Sequence, residues 1–160
     1  MRIRKIAAAI ALGTAATALS ACAQTITSTV SRYQAMPAPQ GQTFYVVPDG
    51  GMARNGGLEF QRYAGIVAQQ LEARGYRPAS DAQSANMIVQ FGYGVDHGQI
   101  DLHIRAAGTN QPLFDGRAQA RSQTNRLDVL VPSLVEALFT GFPGRSGEVV
   151  KITVPRVPRA

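Results

Sequence analysis

Between Met87 and Arg121 the chain alternates apolar and polar residues three times in succession, and this period of two constrains the fold more than any other feature. Met87, Val89, Phe91, Tyr93 and Val95 share one parity in the first run, Ile100, Leu102 and Ile104 in the second, and Phe114, Gly116, Ala118 and Ala120 in the third. Successive side chains of a strand point to opposite faces, so each run reads as a half-buried strand. The links Asp96 to Gln99 and Gly108-Thr109-Asn110 are short and turn-forming, which joins the three strands antiparallel. The opposite parity holds Gln90, Asp101, His103, Arg105, Asp115, Arg117, Gln119 and Arg121, a polar sheet face.

Two other stretches have a helical period. From Leu58 to Arg74, apolar Phe60, Tyr63, Ala64, Val67, Ala68 and Leu71 recur every three or four residues, and Gly75 supplies a left-handed terminator. Asn125 and Asp128 form an N-cap pair ahead of a stripe of Leu127, Leu130, Val131, Leu134 and Leu138, in which Pro132 either kinks the helix or marks its first turn. A strand is expected at Thr43–Val47, closed by Pro48-Asp49-Gly50-Gly51, and another at Val149–Val154. This order predicts an α+β fold, an antiparallel sheet of about four to six strands with two helices packed on one face.

The N-terminus carries a different message. Arg2, Arg4 and Lys5 precede an uncharged run from Ile6 to Leu19, the pattern of an export signal and too short for a comfortable membrane span. The run ends in Leu19-Ser20-Ala21-Cys22, which resembles the lipobox of bacterial lipoproteins. That resemblance implies cleavage between Ala21 and Cys22 and a diacylglycerol on the Cys22 thiol. Each buried methylene is worth about 0.8 kcal/mol, and two or more chains anchor stably where one does not. Cys22 is the only cysteine, so no internal disulfide or Cys-rich zinc site can form. Ala23, where Asp often retains lipoproteins at the inner membrane, points by analogy to the outer membrane, facing the periplasm.

The expected organisation is a signal peptide at 1–21, a lipidated tether at 22–42 with a short strand suggested by Ile26, Val30 and Tyr33, one α+β domain at 43–154, and a basic tail at 155–160. Signal removal takes three basic residues and no acidic one from the formal charge of +6. With that modest charge, an envelope compartment and no aromatic ladder among the basic residues, nucleic acid is excluded as a partner.

Two functional classes follow. The first is a noncatalytic interaction or assembly module, held at the membrane by its lipid, whose face of His103, Arg105, Arg117 and Arg121 could meet an acidic protein or an anionic envelope ligand. The second is a metal-dependent or acid/base hydrolase using His97, His103, Asp96 and Asp101. No catalytic residue and no metal ligand is assigned, and no cofactor beyond the covalent lipid. The loop Gly141-Phe142-Pro143-Gly144-Arg145-Ser146-Gly147 lacks the Gly-Lys-Ser/Thr ending of a phosphate-binding loop and follows a helix.

The phrases Arg74-Gly75-Tyr76, Ala85 to Val95, Leu113-Phe114-Asp115-Gly116 and Phe142-Pro143 together resemble domain-of-unknown-function family 4136 of bacterial lipoproteins. The resemblance spans roughly Thr43 to Gly144, with Phe114 where the family phrase has tryptophan. It implies a small periplasmic α+β domain and carries over no catalytic residue.

Overall fold

The computed structural model of the protein describes residues 24–50, 57–94, 98–121 and 126–156. The signal segment, Ala21, Cys22, the Asp96-His97 pair and Asn125 lie outside the described residues. In chain order the elements are β1 (Thr25–Gln34), β2 (Thr43–Pro48), α1 (Leu58–Glu72), β3 (Arg77–Pro78), β4 (Met87–Gly94), β5 (Gln99–Ala106), β6 (Pro112–Gln119), α2 (Leu127–Phe139) and β7 (Glu148–Pro155). The strands form one sheet in the order β3-β2-β4-β5-β6-β1-β7.

The α+β class with two helices holds, but the sheet differs from expectation in size and direction. It has seven strands and is mixed: β2 runs parallel to both β3 and β4, while all other neighbours are antiparallel. The physical reason is the α1 crossover. A strand that returns through a helix re-enters the sheet in its original direction, whereas the tight links between β4, β5 and β6 reverse it.

The sheet also reaches into the segment expected to be a tether. All ten residues of β1 pair, with β6 on one side and β7 on the other. Its inward positions Ile26, Ser28, Val30 and Arg32 are all buried, two of them polar, which masks the alternation in the sequence. Pro155, expected in the basic tail, is the last residue of β7 and pairs with Thr25.

Both helices cover the apolar face. α1 buries Phe60, Tyr63, Val67 and Leu71 beside β2 and β4, where the Phe60 and Phe91 rings lie 6.4 Å apart and Tyr63 meets Tyr93 edge-on at 5.1 Å. Gly75 ends the helix at φ +93°, and the Tyr76 amide closes back on the Leu71 carbonyl at 3.2 Å. α2 is buried along nearly its whole surface from Val129 to Phe139, and packs over β5, β6, β1 and β7 and against α1. Pro132 sits inside α2, one turn past its start, and the buried Ser133 hydroxyl donates to the Val129 carbonyl at 3.0 Å. No helix among the described residues is long and apolar enough to cross a membrane.

The C-terminal end of α2 is held by two arginines. Arg32, 2% exposed, reaches up from the apolar face of β1 and donates to the carbonyls of Ala137 (3.2 Å), Leu138 (2.9 Å) and Thr140 (2.7 Å) and to Glu148 Oε1 (2.7 Å). Arg74, just past α1, donates to the Phe139 carbonyl and stacks over the Phe139 ring at 4.9 Å. The last carbonyls of a helix have no partner within it and carry the negative end of its dipole, so a cation with several donors suits this place. Burial, and then the charge of Arg32, lower the pKa of Arg74 below its ordinary value.

Candidate functional site

The polar sheet face is built by the register of β5 against β6. Asp101 lies opposite Arg117 and His103 opposite Asp115. Each opposing pair is in contact: Arg117 Nε and Asp101 Oδ1 form an ion pair at 2.6 Å, and His103 Nδ1 and Asp115 Oδ1 share a hydrogen bond at 2.6 Å. The side chain of Asp101 is only 5% exposed, and Gln99 Nε2 supplies its second oxygen with a donor at 2.7 Å. Buried charge is tolerated when it is paired and hydrogen-bonded in this way.

The parity expected for this face is correct, but the register separates its cations. Arg105 pairs with Pro112 at the start of β6, and Arg121 follows the end of β6. At 3.3–3.4 Å per residue, Arg105 stands about 17 Å from Arg117 and about 30 Å from the Arg121 end of the strand. His103, Arg105, Arg117 and Arg121 therefore do not converge on one ligand. Neither Arg105 nor Arg121 makes an ion pair among the described residues, so each would meet an anion singly.

The hydrolase constellation can be placed only in part. His97 and Asp96 lie outside the described residues. Asp101 and His103 are engaged with different partners, Arg117 and Asp115, in a ladder of cross-strand polar pairs. Among the described residues no three His, Cys, Asp or Glu side chains gather where a metal ion could sit.

A second surface escaped the sequence reading. Between α1 and the outer edge of β2 runs an open groove of about 430 Å³, with Phe44, Val46 and Pro48 on the strand side and Ala64, Gly65 and Ala68 on the helix side. A signal for it does exist in the sequence: Gln61 and Gly65, one turn apart on the same stripe of α1, are too polar and too small to be core. Leu58 is 87% exposed at the start of it.

No protein-family model and no curated protein matches the chain by sequence. Solved structures do match. A DUF4136 family protein from Bacteroides thetaiotaomicron is 15% identical with a TM-score of 0.53, covering 71% of this chain and 95% of that one. A PDZ domain protein from Parabacteroides distasonis is 11% identical with a TM-score of 0.52, covering 82% of this chain and 40% of its own. The PelC dodecamer from Paraburkholderia phytofirmans is 16% identical with a TM-score of 0.48, covering 71% of this chain and 96% of that one. The fold of this chain is that of a DUF4136 family protein, in agreement with the resemblance carried by Arg74-Gly75-Tyr76, Leu113-Phe114-Asp115-Gly116 and Phe142-Pro143.

Proposed function

We propose that the protein is a lipid-anchored lipoprotein of the bacterial cell envelope, whose α+β domain works as a noncatalytic interaction or assembly module facing the periplasm from the outer membrane. The observation that carries this reading is Leu19-Ser20-Ala21-Cys22 directly after an uncharged run with a basic start. A lone cysteine at that place has an obvious use as an attachment point and no second thiol to pair with. The internally paired polar face supports the interaction reading, because the side chains of Asp101, His103, Asp115 and Arg117 are spent on one another. An acidic protein or an anionic envelope ligand would contact Arg105 or Arg121 separately.

The variant Cys22→Ser tests the anchor. It should move from the membrane to the soluble fraction on cell fractionation, with its melting temperature unchanged because β1 begins three residues downstream at Thr25. Retention of the variant in the membrane pellet at the wild-type level would refute lipid anchoring at Cys22.

A further inference from the structure

The groove beside β2 has the form of a missing strand. β3 pairs only with Thr43 and Phe44, then leaves the sheet, and among the described residues no strand continues along Tyr45 to Pro48. The backbone directions of β2 follow from its hydrogen bonds. The Thr43 carbonyl accepts from Asn86 and the Asp49 amide donates to Phe91, so odd-numbered residues face β4, while the Phe44 carbonyl accepts from Ala79 on the outer side. By alternation the N–H and C=O of Val46 also point outward. Pro48 falls at the next outward position, where a residue without an N–H costs the β4 ladder nothing.

The facing wall is shaped for a close approach. Gly65 lies mid-helix in α1, where glycine costs about 0.5–1 kcal/mol relative to alanine. A Cβ at this position would meet nothing within 4 Å among the described residues, so none of them requires the glycine. Ala64 and Ala68 flank it with short side chains, and among the described residues the groove is lined without a single charged one. A strand edge with outward backbone groups on one side and a recessed, uncharged helix face on the other together define the occupant chemically: an extended backbone with small or apolar side chains.

We propose that the slot between β2 and α1 binds an extended, uncharged segment of a partner polypeptide as an added strand, continuing the row begun by β3 and hydrogen-bonding to Val46. The paired length, Tyr45 to Pro48, is about 13 Å, which suits a core of about four residues. This deepens the interaction-module reading and does not depend on the lipid, so loss of the anchor and loss of the slot are separable results.

The test selects a random dodecapeptide phage library on the purified protein and counter-selects on Gly65→Leu. Leucine favours the helix and fills the recess, so this variant should melt no lower than wild type while binding is lost. The enriched peptide, made synthetically, should bind wild type and weaken at least about tenfold on Gly65→Leu and on Val46→Pro, which removes the outward N–H. In the free protein the Val46 amide should exchange rapidly with solvent and become protected with peptide bound. Four results would each overturn the proposal: no sequence enriched over the counter-selection, equal affinity for both variants, a Val46 amide already protected in the free monomer, or self-association through this edge that Val46→Pro abolishes.

Discussion

Replacing Arg32 with alanine should destabilise the protein by about 3–5 kcal/mol, the cost expected when one partner of a buried charge network is removed. The guanidinium serves four acceptors at once, three of them carbonyls at the end of α2 and the fourth the Glu148 carboxylate. Alanine would take the Arg32 donor from the Leu138 and Thr140 carbonyls and leave Ala137 only the Thr140 amide at 3.3 Å, and a buried acceptor orphaned in this way carries its own desolvation penalty. Arg32→Met retains most of the apolar stem, so a comparable loss in that variant would assign the effect to the donors and not to packing. Glu148 adds a pH signature. Its hydrogen bond from Arg32 is the main reason its pKa is lowered from the ordinary 4.5. A depressed carboxyl contributes stability that is fully present above its unfolded pKa and is lost as pH falls through the folded one. Wild type should therefore lose stability below about pH 4.5, and Arg32→Ala should lack this part of the acid dependence. Urea unfolding at neutral and acid pH measures both; a loss below about 1 kcal/mol at neutral pH would mean that Arg32 does not hold α2 in place.

Gly116→Val should cost about 3 kcal/mol, the upper part of the usual range for overpacking a core. Valine suits a strand by propensity, so any loss reports space and not backbone preference. A Cβ at Gly116 would overlap the Phe114 ring and come within 3.0 Å of Leu138 Cδ1. Neither neighbour can yield easily: Phe114 is 1% exposed and Leu138 fully buried, and the Phe114 ring is backed by Phe142 at 4.8 Å. This packing explains the phrase Leu113-Phe114-Asp115-Gly116 in physical terms, since the aromatic ring folds over a position that must lack a side chain. The prediction opposes that for Gly65→Leu, where a larger substitution in open space is tolerated. A wild-type urea midpoint for Gly116→Val would contradict the placement of Phe114.

The two glycines show where sequence reading succeeds and where it stops. Period alone located α1 and the strands β4 to β6, because their inward residues are apolar without exception, from Met87 and Val89 to Phe114 and Ala118. It also placed Asp101, His103, Arg105 and Arg117 on one face. It could not give the register, which depends on which residues of neighbouring strands stand opposite, and the register is what pairs Asp101 with Arg117 and sends Arg105 and Arg121 to opposite ends. β1 was obscured for a different reason. Its alternation is complete only if Ser28 and Arg32 are counted as core, and Arg32 is core because it caps a helix more than a hundred residues away in sequence. The parallel pairing of β2 follows from the α1 crossover, and the open groove beside it from the early departure of β3, a two-residue strand with no periodicity to read.

Lipid on Cys22, as proposed above, would hold this domain to a membrane. Intact mass spectrometry of the wild-type protein extracted from cell membranes tests it most directly. The expected species is a chain that starts at Cys22 and carries the mass of a diacylglycerol on its sulfur, with further acylation of the new amino terminus. A membrane-extracted chain that still begins at Met1, or one that begins near Cys22 with a free thiol, would contradict it.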